Sequence, residues 1–397
     1  MYINFWYAAE ESKNITNEKP VKVQMLGHYF ALWRDTKGEI KCVSDTCTHR
    51  GGALGDGRIQ GDCLECPYHG WTFNGNGSCV RIPSLGPDAK IPDWTRVDAY
   101  PVQEKYGLVW TFLGDLPEEE RPPIIDIPEY DDPKWRSVLL RLTWKIDYKR
   151  SVENTMDPAH NEFTHPTHGF LGVHEDYHVE ELNLTETEWG VGFMNRMFTP
   201  RLPDKGMHDA SGRKGDAYID AGVGNHCPNT TWVQIHVSDK AWMHNYLIHT
   251  PIHEKLGHQF VFATRNNMLD PKHDKIFAER TAYIAQQDQD VLEPLHPILT
   301  PRSQTHEFFT PADKCIARYR EFCREWEERG WRIDVDKVRQ DEDRIAYAIP
   351  SPARRKKAKG WVLPAVPLLP GKTPKRIVSH LRRKRTKVDH SMVISPH

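Results

Sequence analysis

The chain has 397 residues, 38% of them hydrophobic and 27% charged, which is enough for two domains with separate cores. Its formal charge of −2 hides a split: residues 351–397 hold 13 Lys and Arg against one acid, Asp389, while residues 1–350 hold 40 basic and 54 acidic side chains. The start lacks a basic stretch followed by an apolar run, and the longest apolar window, Trp361 to Leu369, is short and carries Pro364 and Pro367, so neither a signal peptide nor a membrane span is expected.

Eight cysteines without a signal peptide read as thiols or metal ligands in a reducing cytoplasm, not as disulfides. Residues 1–117 are rich in Gly, turns and short alternating stretches, as in a small β domain. Residues 118–136 follow in an acidic, proline-rich stretch that reads as an extended surface linker. Then Val138, Leu140, Leu142, Trp144, Ile146 and Tyr148 alternate without a break, predicting one long strand with a buried face. Strand-like runs at 230–238, 241–250 and 258–265 suggest an antiparallel sheet, whose aromatics Trp232, Trp242, Tyr246 and Phe262 suit core or pocket equally.

A helix is predicted from Lys275 to Leu295, with Phe277, Ile284, Val291 and Leu295 as its apolar stripe. A second starts at Thr310-Pro311-Ala312-Asp313, an N-cap followed by proline and an acid, and stops at Gly330. The fold class is α+β: an all-β domain (1–117), a linker (118–136), a second domain built on an antiparallel sheet (137–350) and a basic tail (351–397).

The sharpest motif is Cys47-Thr48-His49 with Cys66-Pro67-Tyr68-His69-Gly70-Trp71. Two Cys-and-His pairs on two loops can hold a [2Fe–2S] cluster, thiolates on one iron and imidazoles on the other, with a potential raised by the neutral ligands. Zinc is the competing ligand-set reading, because Cys63 and Cys66 form C-x₂-C, although C-x-H is an unusual zinc knuckle. Cys42, Cys63 and Cys79 otherwise read as small buried residues. The segment Cys47-Thr48-His49-Arg50-Gly51-Gly52 with Cys66–Trp71 resembles the Rieske domain of ring-hydroxylating oxygenases. It lacks the extra cysteine pair of respiratory Rieske proteins, and about 280 further residues exceed a free-standing ferredoxin.

A second constellation runs Glu153-Asn154-Thr155-Met156-Asp157-Pro158-Ala159-His160-Asn161-Glu162-Phe163-Thr164-His165-Pro166. Two histidines and a distant carboxylate can form a facial triad on Fe(II) that leaves positions open for O₂ and substrate. Histidines five apart diverge by about 140° on a regular helix. Pro166 removes the conflict by pushing His165 out of helical geometry, while Asp157 before Pro158 is placed to cap a helix start. His168 reads as loop. For the distant acid, Asp288 lies between Ile284 and Val291 on the inward stripe, and Asp290 points away.

The pattern E-N-x-x-D-P-x-H-x₄-H looks like the iron-binding helix of the Rieske oxygenases, of the phthalate- and demethylase-acting type. The resemblance implies His160, His165 and Asp288 as iron ligands, with Glu293 completing the family's late pattern. It makes Asp157 the acid bridging the two metal centres and places Asn154 at the catalytic site. It implies a helix-grip catalytic domain, one [2Fe–2S] cluster and one mononuclear Fe(II) per subunit. It further implies a homotrimer in which one subunit's cluster feeds its neighbour's iron, and electrons from an NAD(P)H-dependent reductase, directly or through a ferredoxin. Small organic substrates would be hydroxylated, dihydroxylated or demethylated with O₂. A non-enzymatic Rieske carrier and a zinc-stabilised binding protein are the rival readings. The tail, with basic blocks at Arg354–Lys359 and Arg382–Arg385, reads by composition as solvated chain. Its charge opposite to the body predicts instead that it wraps a neighbouring subunit or recruits an acidic redox partner, anchored by Trp361, Val362 and Leu363. Nucleic-acid binding is not expected, because no base-reading motif accompanies the charge.

Overall fold

The computed structural model describes residues 1–169, 172, 177–203, 205, 206, 209, 212 and 215–372. The first ten strands are β1 (Phe5–Glu11), β2 (Val21–Met25), β3 (His28–Arg34), β4 (Ile40–Ser44), β5 (Arg58–Gln60), β6 (Cys63–Glu65), β7 (Thr72–Asn74), β8 (Cys79–Arg81), β9 (Val102–Lys105) and β10 (Leu108–Leu113). They form three small antiparallel sheets in the orders β1-β10-β9, β2-β3-β4 and β5-β6-β7-β8. Seven more form one antiparallel sheet: β11 (Arg136–Trp144), β12 (Leu184–Thr187), β13 (Gly190–Thr199), β14 (Ala217–His226), β15 (Thr230–His236), β16 (Trp242–His253) and β17 (Leu256–Arg265), in the order β11-β17-β16-β15-β14-β13-β12. An all-β unit followed by a sheet-and-helix unit is the α+β organisation read from the sequence.

One face of the large sheet is sealed by the first unit. β10 is buried at all six residues and β1 at six of seven, so both lack a solvent face. β1 lies across the sheet, with Thr250 Oγ1 donating to the Ala8 carbonyl (2.8 Å) and Asn229 Nδ2 to that of Trp6 (3.1 Å). Tyr246 and Phe262 point to this side, packing with Trp6, Trp110 and Phe112, so they are core residues. The segment expected as a surface linker belongs to the same core. Ile124, Ile125 and Ile127 are buried in it, and the buried Glu129 accepts from Tyr246 Oη (2.8 Å) and pairs with His244. Proline made it extended, but its isoleucines made it stick.

The first strand of the sheet is shorter than expected. β11 stops at Trp144, and Asp147 caps a helix over Tyr148–Thr155 by accepting from Lys149 N at 3.1 Å. The alternating pattern continued past the strand because Ile146 and Tyr148 are buried for a different reason, one in the turn and one on the helix. β13 and β14 do not read as strands in the sequence because glycines interrupt them. Gly192 and Gly224 face each other across β13 and β14, with Trp232 opposite on β15, and a Cβ on either glycine would sit 2.4 or 2.6 Å from the indole. The glycines make room for Trp232.

The other face of the sheet carries the helices. The predicted 275–295 helix spans Asp274–Leu292, and its buried residues are Phe277 and Leu292; Val291 and Leu295 are exposed. The Thr310 capping box is present, leading into a helix over Lys314–Glu328 that ends before Gly330 at φ +74°. From Ser351 to Lys372 the described chain stays on the molecule. Arg354 pairs with the buried Asp98 through Nε (2.8 Å) and Nη2 (2.6 Å), Ser351 N and Oγ donate to the same carboxylate, and Tyr100 Oη donates to the Ile349 carbonyl. The apolar anchor is Val366, whereas Val362 is exposed. The start of the tail is therefore a strap on its own chain, not the solvated segment that its composition suggests. The second basic block, Arg382–Arg385, lies outside the described residues.

Candidate metal centres

Two loops build the first centre. Cys47, at the end of one loop's approach, accepts on its carbonyl from Gly51 N (2.9 Å) and donates its N–H to the Gly52 carbonyl (2.8 Å). Cys66 repeats this pattern with Gly70 N (3.1 Å) and the Trp71 carbonyl (2.8 Å). Gly51 and Gly70 hold φ near +70°, which a side chain would strain. The same tight turn is thus used twice, presenting a cysteine and a histidine each time.

Both thiols are buried side by side, and a Cβ on Gly52 would stand 2.7 Å from Cys66 Sγ. The two imidazoles meet at the exposed end, ring centroids 4.3 Å apart, with His49 stacked on Trp71 at 4.6 Å. Burial, reinforced by Cys66, pushes the Cys47 thiol up to about 12 against a lowering backbone hydrogen bond from His49, so its thiolate form needs a bound cation. The pairing of sulfur with sulfur and nitrogen with nitrogen suits a two-iron cluster. Among the described residues the four donors do not gather as one compact metal-binding group, as a single tetrahedral zinc requires, and Cys63 joins none.

The second centre gathers His160, His165 and Asp288, their donor atoms within one compact group. His160 Nε2 lies 3.2 Å from His165 Nε2, and Asp288 Oδ1 lies 3.5 and 3.2 Å from those two nitrogens. Ligands at about 2.1 Å on adjacent octahedral corners stand roughly 3 Å apart, so one iron fits this face.

Local structure aims each donor. His160 and His165 flank a single-turn helix over Asn161–Thr164, and His165 has φ −114° and ψ 73° ahead of Pro166, the predicted departure from helical geometry. His160 Nδ1 donates to the Asp157 carbonyl (2.6 Å) and His165 Nδ1 to Gln287 Oε1 (3.0 Å), leaving both Nε2 lone pairs for a metal. Asn154 Nδ2 donates to Asp288 Oδ1 (3.0 Å). Burial opposes the charge on Asp288, but hydrogen bonds with His160 and His165 outweigh it and hold the carboxyl well below its usual range. Asp290 is exposed and accepts from Gln286.

Two expectations need correction. Asp157 does not share a helix with His160: it sits in the break between two helices, accepting from Ala159 N (2.7 Å), because Pro158 interrupts the helix. His168 is not a bystander in a loop. It ends a 3₁₀ turn over Pro166–His168, its ring 4.9 Å from that of His165, and burial followed by His165 lowers it to about 3, so it stays neutral. Gln287 escaped notice, since nothing in the sequence links it to a histidine 122 positions away.

The second centre opens into a cavity of about 800 Å³ between the large sheet and the Asp274–Leu292 helix. None of Trp232, Trp242, Tyr246 or Phe262 lines it; Met243, Asn245 and Leu247, which alternate with them, do.

Comparison with known proteins fits both centres. Residues 5–101 match the Rieske [2Fe-2S] domain, and residues 144–329 match the vanillate O-demethylase oxygenase C-terminal domain. The iron-sulfur subunit TsaM1 of the toluene-4-sulfonate monooxygenase system of Comamonas testosteroni is 36% identical over 164 residues, 41% of this chain and 46% of that one. The 4beta-methylsterol monooxygenase of Methylococcus capsulatus is 34% identical over 164 residues, 41% and 44% of the two chains. The matches thus span less than half the length of these curated relatives. Pseudomonas putida CBB5 NdmA, solved with caffeine, superposes with a TM-score of 0.68 at 22% identity, over 81% of this chain and 90% of that one, a likeness of fold. With one domain for a [2Fe–2S] cluster and a second for a mononuclear iron, in this order, the chain belongs to the Rieske non-haem iron oxygenases.

Proposed function

We propose that this chain is a terminal oxygenase component that hydroxylates or oxidatively demethylates an organic substrate. The observation that carries the reading is the facial group of His160, His165 and Asp288 at the wall of a large, mostly apolar cavity, on the same chain as the Cys47–His49 and Cys66–His69 loops. Cys47, His49, Cys66 and His69 hold the cluster, and His160, His165 and Asp288 hold the iron. Iron bound there supplies the O₂ chemistry, with electrons drawn from the cluster.

The protein's own groups shape that chemistry. The Asp157 carbonyl and Gln287 fix the ring orientation of the two histidines, and Asn154 holds Asp288 in place. The apolar walls exclude water from the substrate. Asp157 is half-buried, its carboxyl raised by desolvation, beside His160, where it can bridge toward a cluster histidine of a neighbouring subunit in a homotrimer. The exposed edges of His49 and His69 are where electrons enter and leave. An NAD(P)H-dependent reductase, directly or through a ferredoxin, is the source, in the cytoplasm. Among the described residues no helix is long and apolar enough to cross a membrane. The working units are the cluster domain 1–117, the connecting arm 118–136 and the catalytic domain 137–350.

The test is reconstitution with a surrogate reductase, NADH and a panel of ring compounds, following O₂ uptake and substrate loss together. Coupled consumption supports the reading. A chain that binds only the cluster iron, and no second iron, refutes it.

A further inference from the structure

The cavity beside the second centre has chemistry of its own. At about 800 Å³ it is several times the ~150 Å³ that suffices for benzene. Leu182, Phe193, Val223, Val233, Leu247 and Val261 supply apolar wall. Among the described lining residues there is no lysine, and the one guanidinium, Arg280, already donates to the Thr167 carbonyl (3.2 Å). A substrate carboxylate or sulfonate would find Arg280, already engaged, as its sole Lys or Arg counter-charge among the described lining residues, and elsewhere in the apolar wall would carry a large desolvation cost.

One polar group stands out on the sheet side. Asn245 occupies β16 between Val233 and Ala263 on the inner face, and its carboxamide has no hydrogen-bond partner among the described residues, its oxygen being fully buried. A native carboxamide left unpaired in an apolar wall asks for a ligand. A second one, Asn195 on β13, also lines the cavity. Its Nδ2 donates to the Glu181 carbonyl (2.9 Å), which fixes its orientation and leaves Oδ1 unpaired. Three strand spacings separate the two, roughly 14 Å. A single ring cannot reach across that distance.

We infer that the site takes an uncharged, multi-ring substrate whose hydroxyl group is read by Asn245. A hydroxyl both donates and accepts, so it pairs with a carboxamide in either orientation, whereas a carboxylate pairs only with its NH₂. This rests on the oxygenase reading and narrows it to a substrate class.

The test is equilibrium dialysis of radiolabelled probes against the anaerobic, iron-loaded full chain. Estradiol has four rings and two hydroxyls, its dimethyl ether has the same skeleton without donors, and toluene-4-sulfonate is a single-ring anion. Estradiol should bind ~10-fold or more tightly than either. Asn245→Leu should bring estradiol and its dimethyl ether to within about 2-fold of each other, and Asn245→Ser should restore part of the difference, with iron content and the cluster spectrum unchanged in both. Toluene-4-sulfonate binding as tightly as estradiol, or a hydroxyl preference that survives Asn245→Leu, overturns the proposal. Two further outcomes separate it from the reading beneath. Iron-loaded protein that ignores estradiol overturns the substrate class alone; protein that binds estradiol but holds no mononuclear iron upholds the class and overturns the oxygenase reading.

Discussion

Gln287 precedes Asp288 on one helix, and its Oε1 accepts the Nδ1 proton of His165 at 3.0 Å while also accepting from Thr167 Oγ1 at 3.0 Å. One turn of helix therefore supplies one donor of the His160, His165 and Asp288 group and aims another. Gln287→Leu should leave the cluster's visible spectrum intact and weaken mononuclear iron binding roughly 10–100-fold. Iron retained per chain after dialysis against graded chelator measures this.

Asp288→Ala should abolish the mononuclear iron and leave the cluster. Asp290→Ala should change neither, since its carboxylate is exposed and bonded to Gln286. Metal analysis of both variants decides the third ligand, and the reverse pattern would transfer the role to Asp290.

Asp157→Asn preserves the acceptor for Ala159 N and the carbonyl that orients His160. Both metals should stay bound. Electron transfer from cluster to iron should slow by roughly 10–100-fold, the usual effect of losing a partner just outside a metal's ligands. Rapid mixing of reduced protein with O₂, followed by product after one turnover, reads this directly. Normal product formation in the variant would remove Asp157 from the electron route.

A pH effect follows from His249. It is buried on β16, with Nε2 3.1 Å from Thr231 Oγ1, and burial lowers it to about 3. An unfolded histidine titrates near ~6.5, so the unfolded chain binds the proton first, and stability is lost as pH falls from about 6.5 toward 3. Between pH 6.5 and pH 5 this one residue accounts for about 2 kcal/mol. His249→Gln should reduce the acid sensitivity of urea unfolding by that amount, whatever it does to stability at pH 7.

Arg354→Met should lower stability by about 3–5 kcal/mol, because it leaves the Asp98 carboxylate buried without its cation. The double variant with Asp98→Asn should recover much of the loss. Truncation after Pro350 removes the same contact, so a change in thermal midpoint is expected before any change in oligomer size.

Both donor groups were legible in the sequence because their geometry is local. The Cys-x-His and Cys-x₂-His loops carry their own turns, and Pro166 announces the bend that turns His165 inward. Asp288 was found by an argument only partly right. Val291, one of its two supposed neighbours on the stripe, is 44% exposed, and the residue that buries on that side is Leu292, one turn beyond Asp288. What stayed hidden depends on partners far away in the chain. Gly192 and Gly224 look like strand breakers until Trp232 is seen lying over them, and the Ile124–Ile127 segment looks like linker until the large sheet is placed beneath it. Asn245 differs from Tyr246 in function only through the strand's alternation, and the sequence left open which face was the cavity.

The bond between Asp98 and Arg354 spans 256 positions, and that between Tyr100 and Ile349 spans 249. During synthesis the cluster domain emerges first, and at ~5–20 residues per second its last fastening arrives on the order of tens of seconds later. Until then Asp98 has neither its cation nor the Ser351 donors, and the domain's flank stays open to water. The order of manufacture thus leaves an interval in which the cysteine loops exist but the fold around them is not yet locked. A Rieske module cut from this chain at residue 117 would remain in that unfinished state for good, and grafting it onto another catalytic domain would require carrying residues 349–354 along with it.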